Sequence, residues 1–255
     1  MSSAVDLHVL YRIANTPILE YPFPHIYVPD IFPADFYQEL LRNLPPQGAL
    51  KTLGELGRIS GGEYPERGIL PLTAQGLAAL EAPRRDFWER LRGWLLGKRF
   101  GDTMIGKFAP YLSQRFSDLR NLRFDHEALV VRDRTNYALG PHTDTPSKVL
   151  SFLFYLPADD SKAHLGTSIY VPAEPGFACN GGPHYEFDRF RRMRTMPYVP
   201  NALFAFMKTA TSFHGVEPIE EPDIRRDLLL YDLRVLQPQA QKPAPPAGAA
   251  IKFTM

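Results

Sequence analysis

Three side chains with metal-binding chemistry stand out by residue type and spacing. His142 and Asp144 are separated by one residue, and His214 follows the aspartate after 70 residues. Two neutral imidazoles and one carboxylate can occupy one face of an octahedral Fe(II), which leaves three positions for a chelating cosubstrate and dioxygen. The spacing therefore predicts an iron site held by His142, Asp144 and His214.

The sequence around these residues strengthens that prediction. A histidine and an aspartate two positions apart are weak evidence alone, because a chain with 7 histidines contains such a pair by chance. His142, however, follows a Gly-Pro break and precedes an apolar run, where a bend at a sheet margin can aim both side chains inward. His214 follows the apolar run 202–207, so a neighbouring strand can supply the third ligand.

Two adjacent arginines, Arg225 and Arg226, precede the apolar run 228–231. A guanidinium at the start of a buried strand needs an anionic partner, because burial of an unpaired charge is prohibitive. A dicarboxylate cosubstrate would provide one, and the arginine fork suits a carboxylate. Successive residues of a strand point to opposite faces, but this alternation alone leaves open which of the two arginines points inward. In the alternative interpretation each forms a surface pair, Arg225 with Asp227 or Arg226 with Asp232.

The elements that must position these residues lie in a β-rich C-terminal half. Short runs rich in Val, Leu, Phe and Tyr predict strands. Turn signals separate the runs and no helical pattern intervenes, which favours an antiparallel sandwich or barrel. The predicted strands cover 128–132, 149–156, 167–171, 202–207 and 226–233.

The N-terminal half predicts helices that pack against this sheet. Prolines bound a predicted edge strand at 21–28. Apolar residues at helical spacing predict helices over 33–44 and 87–95. Residues 48–76 contain seven glycines and predict a loop that could cover a site. The expected fold is therefore mainly β with flanking helices.

Length and composition limit the domain organisation and the partners. A chain of 255 residues can bury one core, so we expect a single domain over 1–236. Its helical layer would cover about 20–110 and its β core about 124–236, followed by a loosely held Pro/Ala-rich tail at 237–255. The net charge of +1 gives no reason to expect nucleic acid or a membrane as partner.

Cysteine content and the N-terminus indicate the cellular setting. Cys179 is the only cysteine, which excludes an internal disulfide framework. The N-terminus lacks the basic and apolar regions of a signal peptide, and no apolar run approaches the roughly 18 residues of a membrane span. We therefore expect a cytoplasmic enzyme.

Five segments resemble, in order and spacing, the Fe(II)/2-oxoglutarate-dependent oxygenases, particularly those grouped with prolyl hydroxylases and phytanoyl-CoA hydroxylase. These segments are Leu139–Asp144, Leu150–Pro157, His164–Tyr170, Pro200–Phe206 and His214–Pro218. The resemblance covers about residues 20–235 and is strongest from residue 128 onward. Its motifs are specific for the superfamily and carry almost no information on the substrate.

The resemblance implies a double-stranded β-helix, or jelly roll, with iron held by His142, Asp144 and His214. It also implies the cofactors Fe(II), 2-oxoglutarate and dioxygen, and it places the distal carboxylate of 2-oxoglutarate on Arg225. In the family, 2-oxoglutarate is converted to succinate and carbon dioxide while a substrate is oxidised.

One departure concerns the residue two positions after Arg225, which is a serine in some relatives and Asp227 in this chain. A carboxylate facing the same pocket would repel the cosubstrate, so either Asp227 turns elsewhere or Arg226 takes the anchoring role. Tyr137 is a further candidate, because some relatives donate a tyrosine hydroxyl to 2-oxoglutarate. The alternative for Tyr137 is a packed aromatic side chain beside a turn.

A long insertion at 172–200 separates two predicted strands. Irregular insertions on rigid β scaffolds often form substrate lids. The insertion carries a basic run, formed by Arg189, Arg191, Arg192 and Arg194. This run could meet an anionic substrate or form a solvated face. His184 and Cys179 have no matching ligand pair, so we do not predict a second metal site.

The favoured function is hydroxylation of a small polar, sugar-linked or carrier-linked molecule, which could be anionic. A protein side-chain hydroxylase is the alternative within the same chemistry. Outside that chemistry, the chain could be a cupin-like metal enzyme without 2-oxoglutarate or a non-catalytic jelly-roll binding module. The intact triad and the downstream arginine argue against a binding module, which needs neither.

Overall fold

Two antiparallel sheets face each other at the centre of the molecule. The computed structural model describes residues 3–59 and 64–236. Its ten strands are β1 His25–Val28, β2 Arg67–Pro71, β3 Phe124–Arg134, β4 Leu139–His142, β5 Lys148–Tyr155, β6 Thr167–Pro172, β7 Phe190–Met196, β8 Ala202–Met207, β9 His214–Val216 and β10 Arg225–Val235. The larger sheet has the order β1-β8-β5-β10-β3-β2, and the smaller one has the order β4-β9-β6-β7.

The path of the chain from β3 to β10 is that of a jelly roll. These eight strands are divided equally, with β3, β5, β8 and β10 in the larger sheet and β4, β6, β7 and β9 in the smaller one. The chain crosses repeatedly from one sheet to the other, so strands distant in sequence become neighbours. The predicted fold, a double-stranded β-helix with helices beside it, is confirmed.

Helices cover the outer face of the larger sheet. They are α1 Ser3–Asn15, α2 Ala34–Arg42, α3 Ala74–Leu77, α4 Ala82–Leu95 and α5 Lys98–Arg115. Leu229 and Tyr231 of β10 belong to the same buried cluster as Trp88 and Phe100 of the helices. Leu228 points the other way, into a second cluster between the sheets. Strand β10 is therefore buried on both faces, which explains its nearly continuous apolar sequence.

Several elements differ from the sequence-based expectation, among them the short strands β4 and β9 and the short helix α3, which were not predicted. Helices α1 and α5 were not predicted, although α5 buries Phe100, Met104, Phe108 and Leu112 at intervals of four residues. Strand β2 lies inside the expected loop at 48–76 and pairs with β3. Strand β7 lies inside the expected irregular insertion. Its pattern was hidden because only its first and last residues are buried.

Two predicted segments fall partly or wholly outside the described residues. They are the tail at 237–255 and residues 60–63 of the glycine-rich loop. Within the ranges that are described, no helix combines the length and the apolar character needed to cross a membrane.

Candidate metal centre

His142, Asp144 and His214 meet between the two sheets. One ligand atom from each residue lies within 4.8 Å of those from the other two, and all three side chains are buried. Strands β4 and β9 pair antiparallel with His142 opposite His214, and the two ring centroids are 4.4 Å apart. The three residues predicted from sequence are thus brought together in a group that could hold a metal ion.

An irregularity in β4 turns His142 toward the interior. Leu139 pairs with Val216 and His142 pairs with His214, so β4 advances three residues while β9 advances two. Such a bulge changes the direction of the side chains that follow it. The opposing Gly215 permits the close approach, because a Cβ there would lie 2.4 Å from the carbonyl oxygen of Leu139.

Backbone carbonyls set which nitrogen each histidine presents to a metal. Nδ1 of His142 lies 3.0 Å from the oxygen of Gly140, and Nδ1 of His214 lies 3.0 Å from the oxygen of Ser212. A carbonyl can only accept, so each Nδ1 carries a proton and donates it. The unprotonated Nε2 atoms remain as the metal ligands, and the hydrogen bonds hold both rings in place.

The protonation states of the three residues suit a metal. Burial lowers the pKa of His142 and of His214, so both imidazoles are neutral. Burial alone would raise the pKa of Asp144, but the positive charge of Lys148 and the hydrogen bond from Ser151 hold it well below its usual range. Lys148 Nζ lies 3.0 Å from an oxygen of Asp144, and the Ser151 hydroxyl donates to the other oxygen at 2.8 Å. The carboxylate is thus ionised and fixed.

The insertion between β6 and β7 covers residues 141–144, which carry the ligands His142 and Asp144. These four residues are called the metal loop. The Thr143 hydroxyl donates to the carbonyl of Cys179 at 2.9 Å, and the amide of Tyr185 donates to the carbonyl of Pro141 at 3.0 Å. Gly181 packs so closely that a Cβ on it would lie 2.3 Å from the Asp144 carbonyl oxygen. The insertion therefore supports the metal ligands in addition to covering them.

His184 and Tyr64 also lie at the site, and sequence analysis assigned no role to either. The ring of His184 is 4.6 Å from that of His142, and its Nδ1 is hydrogen-bonded to the hydroxyl of Tyr64. Tyr64 comes from the glycine-rich loop, 120 positions away. The only sequence signal for this pair was that both residues lie in loops expected to cover a site.

Deeper between the sheets lies a cluster of buried charges. The fully buried Arg226 donates to Asp133 and to the carbonyl of Leu165, both at 2.6 Å, and to the Thr167 hydroxyl at 3.3 Å. Arg67 binds the same Asp133 through two hydrogen bonds, at 2.7 and 3.0 Å. Two guanidinium groups thus share one carboxylate, and the cluster has one excess positive charge.

Tyr137 lies against this cluster with its hydroxyl unused. Its side chain is 1% exposed, and among the described residues no hydrogen-bond partner reaches the hydroxyl. The guanidinium of Arg67 lies 4.3 Å from the centre of its ring. Burial raises the pKa of Tyr137, so the hydroxyl keeps its proton and can donate it.

Arg225 does not reach the interior, which corrects the position expected for it from the resemblance. Its side chain is 53% exposed and pairs with Asp227, and Asp227 also accepts from Arg132 at 2.7 Å. Successive residues of a strand point to opposite faces, so Arg225 and Asp227 lie on the side away from Arg226. Asp227 therefore does not face the pocket, and Arg226 is the interior arginine.

No family model and no curated protein matches the sequence. Solved structures do match. A Pseudomonas putida prolyl-4-hydroxylase has a TM-score of 0.48 at 14% identity, covering 89% of this chain and 96% of that chain. The epimerase SnoN, solved with Fe3+, alpha ketoglutarate and nogalamycin RO, has a TM-score of 0.48 at 14% identity. The match covers 90% of this chain and 83% of that chain.

HygX from Streptomyces hygroscopicus, solved with nickel and 2-oxoglutarate, has a TM-score of 0.42 at 12% identity, covering 82% of each chain. Similarity at this level leaves the chemistry to be argued from the residues of this chain. Those residues form a jelly roll with a buried His-Asp-His group and a buried, positively charged cluster beside it.

Proposed function

We propose that this chain is an Fe(II)- and 2-oxoglutarate-dependent dioxygenase that hydroxylates a small polar substrate, free or linked to a sugar or carrier. The observation that carries the proposal is the buried group of His142, Asp144 and His214. Two neutral nitrogen ligands and one carboxylate on one face are the donor set of non-haem Fe(II) oxygenases, and they leave positions for cosubstrate and dioxygen.

The charged cluster supports 2-oxoglutarate as the cosubstrate. Arg67 and Arg226 share only Asp133, so an added carboxylate would compensate the excess charge. Thr167, which contacts Arg226, and Ile169, which pairs with His214, are two residues apart on β6. The cluster is therefore about 7 Å deeper than the metal ligands along the strand. A five-carbon dicarboxylate can bridge that distance.

Each residue has a defined role in this proposal. His142 and His214 present Nε2 to the iron, while Ser151 and Lys148 hold the carboxylate of Asp144. When bound, the iron and 2-oxoglutarate supply the oxidising chemistry, with succinate and carbon dioxide as coproducts.

The chain's remaining residues bind the cosubstrate and keep water out. Arg226, in place of the Arg225 that the resemblance implied, and the hydroxyl of Tyr137 would bind the distal carboxylate. The insertion shields the site, since each ligand residue is at most 8% exposed, and exclusion of water strengthens the electrostatic interactions inside.

Three rival functions fit this geometry less well. A cupin-like enzyme without 2-oxoglutarate, or a binding module, would leave the excess buried charge and the unpartnered Tyr137 hydroxyl without a purpose. A protein side-chain hydroxylase needs an approach wide enough for a polypeptide, whereas the insertion closely covers the metal loop. A small substrate therefore suits the site better.

An anaerobic titration with Fe(II) and 2-oxoglutarate tests the proposal. We expect a visible charge-transfer band that saturates at one equivalent of each. The variants His142→Ala and Asp144→Ala should lose the band and succinate formation, while circular dichroism confirms their fold. Wild-type succinate production by both variants, or no 2-oxoglutarate binding by the wild type, would exclude this function.

A further inference from the structure

Lys148 contacts the metal ligand Asp144 because strand β5 is irregular at its start. Lys148 and Ser151 are three residues apart, so a regular strand would point them to opposite faces, yet both contact the carboxylate of Asp144, at 3.0 and 2.8 Å. The register of β5 against β10 shifts between Leu233 and Arg234, where Arg234 pairs with Lys148. Such a bulge changes the direction of a side chain. The fold therefore brings a positive charge directly to a metal ligand.

Asp232 is a second carboxylate on the ammonium group of Lys148. Nζ of Lys148 lies 3.0 Å from an oxygen of Asp232, and Arg234 lies 3.5 Å from the same oxygen. Asp232 is buried, and it does not belong to the group of residues that could hold the metal ion. Two carboxylates at hydrogen-bond distance keep the ammonium group protonated. Its positive charge is therefore one carboxylate away from the metal, and Asp232 offsets part of that charge.

Two further cations near Asp144 form no ion pair within the described part of the chain. Lys208 is buried, and its Nζ donates to the hydroxyl of Thr143 in the metal loop at 3.0 Å. The guanidinium of Arg115 donates to the carbonyl of Lys148 at 2.7 Å. Burial lowers the pKa of both groups, and the nearby charge of Asp144 acts against that change. Since hydroxyl and carbonyl oxygens carry no net charge, positive charge predominates around Asp144.

Positive charge beside a metal ligand acts differently on the two oxidation states of iron. The repulsion grows with the charge of the ion, so a nearby ammonium group destabilises Fe(III) more than Fe(II). Iron becomes Fe(III) when it gives one electron to dioxygen, which becomes superoxide. Asp144 is 7% exposed, and charges at such a buried position are screened little by salt. The cations around Asp144 therefore favour the ferrous state.

We infer that Lys148 keeps the bound iron in the Fe(II) state by raising the potential of the Fe(III)/Fe(II) couple, and that Asp232 limits this effect. Lys148 acts through the carboxylate of Asp144, so it is a positioning residue and not a catalytic one. If Lys148 only held that carboxylate in place, the charge of its side chain would not affect the potential. The inference rests on the proposed dioxygenase function and deepens it, because repeated turnover requires Fe(II).

A redox titration of the iron-loaded protein under argon, without 2-oxoglutarate, tests the inference. Electron paramagnetic resonance of high-spin Fe(III) gives the ratio of Fe(III) to Fe(II) at each applied potential. At the midpoint potential of the wild type, Lys148→Met should raise this ratio about tenfold or more, because the ion loses a positive charge close to it. Asp232→Asn should lower the ratio, because Lys148 keeps a hydrogen-bond acceptor and loses a counter-charge.

Two control variants separate charge from geometry and from net charge. Lys148→Arg keeps the positive charge and should leave the ratio within about twofold of the wild type. Lys98→Met removes an exposed lysine that pairs with Asp102 on α5, far from any metal ligand in sequence. It should leave the ratio unchanged.

Three results would overturn the inference: an unchanged ratio in Lys148→Met, equal shifts in Lys148→Met and Lys148→Arg, or shifts of the same sign in Lys148→Met and Asp232→Asn. If circular dichroism shows that Lys148→Met does not fold, Asp232→Asn decides alone, and a ratio that does not fall overturns the inference. The two proposals fail separately, because 2-oxoglutarate is left out of the titration. Normal 2-oxoglutarate binding with unchanged ratios refutes only the role of Lys148, whereas the expected ratios without 2-oxoglutarate binding refute only the dioxygenase.

Discussion

The hydroxyl of Tyr137 is a buried donor without a protein acceptor in the described residues. A buried polar group without a partner is costly, so a native structure retains one where a ligand satisfies it. We predict that Tyr137→Phe weakens 2-oxoglutarate binding by about tenfold, the effect of one lost hydrogen bond to a charged group. The free energy of unfolding without ligand should not decrease. Calorimetric titration of the metal-loaded protein and denaturant unfolding measure the two quantities.

Tyr37 provides the matched control for this substitution. Tyr37 lies on helix α2 and is also buried, but its hydroxyl has an acceptor, because it donates to the carbonyl of Pro157 at 2.6 Å. Tyr37→Phe should therefore lower the free energy of unfolding by about 1 kcal/mol and leave 2-oxoglutarate affinity unchanged. If the two variants behaved alike in both measurements, the assignment of Tyr137 to the cosubstrate would be wrong.

The two histidine ligands determine how metal affinity depends on pH. Burial lowers the pKa of His142 and of His214 from the ordinary value of 6.5. Protons therefore compete with the metal only below the ordinary imidazole range, and affinity should stay constant from about pH 8 to about pH 6.5 and decrease below it. Titration with Mn(II) at several pH values measures this. A steady decrease already above about pH 7 would contradict it.

The lowered pKa values of His142 and His214 also affect the stability of the metal-free protein. Below about pH 6.5 the unfolded chain takes up protons at these histidines before the folded chain does. Stability should therefore decrease as the pH falls through that range, and the lowered pKa of Asp144 adds a loss in the same direction at lower pH. Urea unfolding at a series of pH values would detect both losses.

The backbone of the insertion packs against the metal loop at Gly181. Alanine substitutions at the two adjacent glycines, Gly181 and Gly182, separate the effect of this packing on metal affinity from the effect of backbone strain. Gly181 and Gly182 have φ of +112° and +128°, so alanine is strained at both positions. Only at Gly181 would a Cβ meet the Asp144 carbonyl, at 2.3 Å, whereas nothing lies within 4 Å at Gly182. Gly181→Ala should lower metal affinity by about tenfold or more, and Gly182→Ala should lower only stability, by about 1–3 kcal/mol. Equal metal affinities in Mn(II) titrations would show that the insertion does not hold the metal loop.

Among the strands, those buried along most of their length were the ones that the sequence predicted. Strands β5 and β8 are buried along nearly their whole length and were visible as apolar runs. Strand β9 has only three residues, and β7 exposes most of its side chains, so neither has a distinct pattern. Short or one-sided strands are specified by their neighbours, which a single sequence does not display.

The residues of the site also fall into a group that the sequence predicts and a group that it does not. The metal ligands were predictable because local motifs place them beside apolar strands. The pair of Arg67 and Asp133 spans 66 positions and depends on the register of β2 against β3. Likewise, Arg225 and Arg226 could be distinguished only once β10 had a definite inner face.

At the scale of the whole molecule, the metal links strands from distant parts of the sequence. Its ligands lie on β4, just after it, and on β9, which is the shortest strand. A ligand that binds only the folded state stabilises it by mass action, by about 2.7 kcal/mol at a concentration of 100 times Kd. Saturating Mn(II) should therefore raise the free energy of unfolding by about this amount. His214→Ala should show no such increase, and a metal-independent stability in the wild type would contradict the assigned site.

The direct pairing of His142 with His214 has a consequence for folding fidelity. A slip of β9 by one residue would turn its side chains to the opposite face of the sheet. His214 would then leave the interior together with Val216, while much of the remaining core could still pack. Such a misfolded chain would be hard to recognise by its secondary structure, yet it would not bind metal. Tight metal binding therefore reports that the newly made chain has joined β4 and β9 in the correct register.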